Sequence, residues 1–274
     1  MKKMSILRTA AVALSLTMAV PMAAHAHRTW LLPSSTVLSG EAPYVTVDAA
    51  VSNEVFYFDH RPYSLEGLTI TDPDGKTVDA ENKATGKFRS VFDVKLAQPG
   101  TYRIGFATDM LFATYKQGTE AKRWRGTAAN FAKEVPADAK DVNVSLNQNR
   151  LETFVSAGKP TAIKPIGKGL ELVPVTHPND LFAGEAATFQ FMADGKPAAD
   201  IEVTVVPGGI RYRDQLNEIK VKTDKDGKFS VKWPTPGMYW LNAGTARGPS
   251  SEVGTLDKPV RRASYTATVE VLQP

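Results

Sequence analysis

The apolar stretches of this chain are short, and turn residues separate them at close intervals. Tyr44 to Val47, Leu68 to Ile70, Phe88 to Val94 and Thr101 to Phe106 are strand-length, with Asp74-Gly75 and Pro99-Gly100 between them. The habit repeats further on in Ala187 to Met192, Ile201 to Val206, Glu218 to Val221, Phe229 to Trp233, Tyr239 to Ala243 and Tyr265 to Leu272. There the turns are Asp194-Gly195, Asp226-Gly227 and Pro236-Gly237. Ile201-Glu202-Val203-Thr204-Val205 alternates apolar and polar residues, as a strand with one face buried does. These signals predict an all-β chain of two immunoglobulin-like or transthyretin-like β-sandwich modules in tandem.

An internal echo supports two comparable modules. Gly86-Lys87-Phe88 leads to Pro99-Gly100-Thr101-Tyr102, and Gly227-Lys228-Phe229 leads to Pro236-Gly237-Met238-Tyr239. Each reads as a strand, a Pro-Gly turn and a strand carrying an inward tyrosine. Duplication and convergent turn chemistry both account for it. Residues 158–169, rich in Gly and Pro, are expected to link a first module at 27–157 to a second at 170–274. An irregular excursion is expected over about 109–149, with a short helix near Thr127 to Lys133.

Residues 1–26 read as an export leader. Lys2, Lys3 and Arg8 precede an apolar run from Ala10 to Val20, and Ala24-His25-Ala26 is a small-x-small exit. The run is too short to span a bilayer, which needs roughly 20 residues. The expectation is a periplasmic protein that is not membrane-embedded after processing. The whole chain carries 33 basic and 29 acidic residues, a net charge of +4. The leader takes three basic residues and no acidic one, so the remainder is close to neutral and no nucleic-acid partner is expected.

The chain has no cysteine. Disulfides, thiolate metal sites, iron–sulfur clusters and thiol nucleophiles are thereby excluded. Any metal site must use nitrogen and oxygen donors. Beyond the leader only His27, His60 and His177 remain. Cleavage after Ala26 makes His27 the first residue, whose α-amine and imidazole Nδ1 can chelate one ion. A terminal amine has a pKa of about 8, so its deprotonation on metal binding costs little. Such donors suit Ni, Co, Cu or Zn. His60 and His177 lie in loops, before Arg61-Pro62 and Pro178 respectively, and either could supply a further ligand. Asp48, Asp59 and Asp180 are candidate ligands, or partners that fix an imidazole tautomer. A lone loop histidine is commonly a surface hydrogen-bonding residue, and that reading stands beside the metal one.

Other features are weaker. Lys122-Arg123-Trp124-Arg125 is a basic-aromatic cluster that reads as a solvated loop or as a contact for anionic headgroups. Asp72 to Lys76 and Asp224 to Lys228 superficially suggest calcium loops, but lack the later acidic ligand and read as turns. No phosphate loop, His-Glu-x-x-His motif or nucleophile elbow is present.

The segment His27-Arg28-Thr29-Trp30-Leu31-Leu32-Pro33 resembles the His-x-x-Trp-Leu-x-Pro opening of an exported bacterial family of unknown function. That family has been described as periplasmic and associated with nickel or cobalt uptake. Leu170 to Val175, Asp194-Gly195-Lys196-Pro197 and Pro236-Gly237-Met238-Tyr239-Trp240 are similar to motifs of transthyretin-like and immunoglobulin-like modules. The resemblance implies a metal-binding accessory to an inner- or outer-membrane metal transporter, with His27 as the family's opening histidine; no enzymatic activity is expected. Two other readings stay open. One is a metal-independent envelope adhesion or carbohydrate-binding scaffold that uses aromatics such as Trp124, Tyr57 and Tyr63. The other is a copper-dependent oxidase of the N-terminal-His type.

Overall fold

Alternation along the chain becomes strand pairing in a computed structural model that describes residues 27–245 and 252–274. The proposed leader, 1–26, lies outside the described residues. In chain order the first strands are β1 (Arg28–Pro33), β2 (Val37–Leu38), β3 (Tyr44–Ser52), β4 (Arg61–Pro62), β5 (Thr69–Thr71), β6 (Thr77–Val78), β7 (Glu81–Thr85) and β8 (Ser90–Lys95). Then come β9 (Gly100–Gln117), β10 (Glu120–Gly126), the helix α1 (Ala128–Glu134) and β11 (Lys140–Ala157). The later strands are β12 (Leu170–Pro174), β13 (Ala186–Ala193), β14 (Lys196–Pro197), β15 (Glu202–Pro207), β16 (Ile219–Lys222), β17 (Lys228–Lys232), β18 (Gly237–Gly244) and β19 (Val260–Val271). No described helix is long and apolar enough to cross a membrane.

Three sheets result among the described residues. One orders β1-β3-β8-β7, with β4 also on β3. A second orders β12-β13-β14, with β17 on β13. The third runs β16-β15-β18-β19-β11-β9-β5-β6, with β10 on β9 and β2 on β11. Each small sheet packs on one half of the long one. The first core gathers Leu31, Val47, Phe92, Tyr102, Ile104 and Val155. The second gathers Phe189, Phe191, Val203, Trp233, Tyr239 and Tyr265. Two such sandwiches are the predicted fold class. They share a sheet because β11 and β19 pair in parallel, from Ser145↔Val260 to Thr153↔Thr268.

The stretch expected to be irregular, 109–149, is mostly regular. β9 continues to Gln117, β10 folds back on it, and β11 pairs with β9 from Lys140 to Ala157. Its own small core explains the regularity. Leu111, Ala113 and Val144 are buried, with Trp124 and Phe131 packed against them. The basic-aromatic cluster lies within β10, where Trp124 donates its indole N–H to Glu134 at 2.7 Å and Lys122 pairs with Glu120. At Gly105 the β9–β11 approach leaves no room for a side chain. A Cβ there would sit 2.3 Å from the Leu151 carbonyl oxygen.

The internal echo is one device used twice. Tyr102 is buried, accepts the Gln98 N–H at 2.9 Å and donates to the Gln98 carbonyl at 3.2 Å. Tyr239 is buried and donates to the Thr235 carbonyl at 2.7 Å. In both, the hydroxyl ties down the backbone just ahead of the Pro-Gly turn, much like the tyrosine corner of immunoglobulin sandwiches.

Candidate functional site

Strand register brings His27 and His60 together. β1 and β4 flank β3 on opposite sides, both antiparallel to it, so both start at its C-terminal end. Arg28 lies opposite Ser52, and Arg61 lies opposite Val51. His27 precedes Arg28 and His60 precedes Arg61, so each histidine stands just before its strand. Two strand spacings are roughly 10 Å, and the rings close that gap over the end of β3. Their centroids are 3.9 Å apart, with an interplanar angle of 7°.

The loop carrying His60 is held from beneath. Trp30 is fully buried in β1 and donates its indole N–H to Ser52 Oγ at 2.7 Å. Phe56 and Phe58 pack edge-on against it, at 5.5 and 5.2 Å between centroids. Asp59 accepts the Asn53 backbone N–H at 3.0 Å and its side-chain amide at 3.2 Å, which closes the loop immediately before His60. Asp59 is thus a loop clasp. Asp48 lies in β3 opposite Leu32 and pairs with Arg89 at 3.3 Å. Burial raises its carboxyl pKa more than Arg89 lowers it. Arg89 also lies over the Phe58 ring at 4.5 Å, so Asp48 supports the loop through Arg89.

His177 lies elsewhere and does other work. Its Nδ1 accepts the Asn179 N–H at 3.0 Å, and its Nε2 lies 3.0 Å from the Thr161 carbonyl and 3.2 Å from Thr101 Oγ1. That arrangement fixes the neutral tautomer with hydrogen on Nε2. Thr101 continues to Ser156 Oγ at 2.8 Å, and Ser156 donates to Asn179 Oδ1 at 2.9 Å. Burial lowers the His177 pKa below 6.5, against smaller raising effects from the Thr161 hydrogen bond and Asp180. With both nitrogens engaged, His177 has no lone pair free for an ion. The expectation that it could join the N-terminal site is corrected. Asp180, which acts on His177 through its charge, leaves the candidate ligands with it.

The opening motif that carries His27 falls inside a family match. The model of Domain of unknown function (DUF4198) matches residues 24–247. The chain belongs to this family. Comparison with curated proteins gives no match. Among solved structures, the D0-D1 domain of intimin is 14% identical, with a TM-score of 0.24, over 88% of this chain and 97% of that one. The human OSCAR ligand-binding domain is 13% identical, TM-score 0.21, over 89% and 99%. A two-domain fibronectin type III segment of chicken tenascin is 14% identical, TM-score 0.22, over 90% and 100%. The DUF4198 span ends before β19, whose strand nevertheless joins the two halves of the long sheet.

For this DUF4198 chain the metal question reduces to donor chemistry. Among the described residues no ring nitrogen of His27 or His60 makes a hydrogen bond, and both residues are exposed. No group of three or more His, Asp or Glu side chains is gathered among the described residues. Two imidazoles alone make a weak site. With His27 at a processed terminus, the α-amine adds a third nitrogen in chelate with its own ring. That donor set fits a borderline divalent ion. Imidazole lone pairs lie in the ring plane, so rings stacked at 7° converge on one ion only after exposed χ angles rotate. Sequence reasoning missed the supporting residues Asn53, Ser52 and Trp240. Trp240 donates its indole N–H to the Thr29 carbonyl at 2.9 Å.

Proposed function

We propose that this chain is an exported, periplasmic protein that binds a divalent transition metal, Ni, Co, Cu or Zn, at its processed N-terminus. The α-amine and imidazole of His27 form the chelate, and His60 supplies the third nitrogen. The observation that carries this reading is the 3.9 Å juxtaposition of two exposed imidazoles from separate parts of the chain. Register brings them to the same end of β3, and neither ring is engaged as His177 is. A bound ion would draw the two strand starts together, with coordination positions left open to solvent. Such a site suits uptake and hand-over to a membrane metal transporter, which is the partner we propose.

The test is equilibrium titration of correctly processed protein with Ni(II), Co(II), Cu(II) and Zn(II), alongside intact mass to establish the terminus. Binding of one equivalent, lost in His27→Ala, supports the reading. An intact mass that places the terminus elsewhere, or binding undiminished in His27→Ala, overturns it. Peroxide-dependent oxidation by the copper-loaded protein would replace hand-over with the oxidase reading.

A further inference from the structure

The loop that carries His60 and the strand that follows His27 are both gripped by the second half of the chain. Val55 is buried in a cluster with Val206, Ile210 and Trp240. Phe56 has φ of +60°, a left-handed conformation for an aromatic residue. Such backbone is strained and persists only where its surroundings over-determine it. Here the surroundings are Trp30 on one side and Gly208 on the other. A Cβ on Gly208 would meet the Phe56 ring at 3.1 Å and the Met238 carbonyl oxygen at 3.1 Å. Next along, Tyr57 receives the Arg211 guanidinium over its ring at 5.0 Å and a hydrogen bond to its hydroxyl at 3.2 Å. On the His27 side, Trp240 bonds to the Thr29 carbonyl, and Arg28 lies over the Trp240 ring at 5.6 Å.

We infer that Arg211, Gly208 and Trp240 are positioning residues for the His27–His60 metal site, so that metal affinity is set by contacts from the second module although both ligands belong to the first. The inference rests on the metal reading proposed for that site. Three consecutive residues, Val55 to Tyr57, are immobilised by residues 206–211, and His60 follows three positions later. Loosening that grip frees the His60 backbone while leaving the His27 chelate intact. By linkage, an ion bound at the terminus tightens the docking of the second module by the same free energy.

Arg211 is exposed, so Arg211→Ala removes its grip without opening a core. In Cu(II) titrations of the full processed chain, Arg211→Ala is expected to bind about 10-fold more weakly, the range typical of groups that orient a ligand. Its visible Cu(II) absorption should shift towards that of His60→Ala, while the metal-free melting temperature stays near wild type. Gly208→Ala, which pushes on Phe56, is a second variant with the same expected shift. Tyr212→Ala alters a neighbouring side chain that is 87% exposed and should change nothing. Wild-type affinity and spectrum in both Arg211→Ala and Gly208→Ala overturn the inference while leaving the metal reading intact. Failure of the wild-type chain to bind overturns the two together.

Discussion

Histidine chemistry in this chain is decided by what each ring nitrogen touches. His177 spends both nitrogens on Asn179 and Thr161, so its role is structural. His177→Ala is expected to cost about 1–3 kcal/mol of stability, because the Asn179 N–H and the Thr161 carbonyl lose their partner. Chemical denaturation checks this, and metal stoichiometry should not change. The same residue sets a pH limb. Its folded pKa lies below its unfolded value of 6.5, so the unfolded chain binds the extra proton first. Stability from this group is present above pH 6.5 and is lost as pH falls through the depressed folded value. His177→Gln should flatten that limb in urea melts run between neutral and mildly acid pH. A loop histidine before a proline carries no hint of which role it holds. Its partners Thr101 and Thr161 are distant in sequence, and only the fold brings them to the ring.

At the scale of elements, the repeated tyrosine is the clearest device. Tyr102→Phe and Tyr239→Phe should each lower stability by about 1 kcal/mol, the worth of a typical hydrogen bond. The hydroxyls sit in different cores, so the double variant should be additive in denaturant melts. This device is legible in the amino-acid sequence, since the Pro-Gly turn and the tyrosine recur at matching spacing. So are sandwich strands such as β3 and β15, because Val47 and Val203 alternate with polar neighbours. The outer parts of β9 and β11 are not. Asp109 to Gln117 mixes polar and apolar residues on both faces, Lys140 to Asn149 is polar on one, and what orders them is a small satellite core around Leu111, Ala113 and Val144. The meeting of His27 with His60 is not legible either. It depends on the register of β1 and β4 against β3, which no local pattern specifies.

Across the whole molecule, buried charge binds the halves. Glu152 of β11 is buried, accepts the hydroxyl of the fully buried Tyr265 of β19 at 3.0 Å, and faces Arg150 at 3.1 Å and Arg103 at 3.8 Å. The two arginines in turn donate to the Lys164 and Lys168 carbonyls of the segment joining the modules. Glu152→Ala would leave two guanidinium groups with little access to water and no counter-charge, a loss of about 3–5 kcal/mol. Calorimetry should show a lower midpoint for both halves together, as one shared sheet requires. A melt that lowers the first half alone would contradict that coupling. A separate contact between the halves bears on the proposed metal site, since residues 206–211 and Trp240 grip the segments that carry His27 and His60. The most direct test of that site is one Cu(II) titration series on processed protein whose terminus is His27. One tight equivalent is predicted in wild type and in His177→Ala, with affinity reduced by an order of magnitude or more in both His27→Ala and His60→Ala. Equal affinity across wild type, His27→Ala and His60→Ala would contradict it.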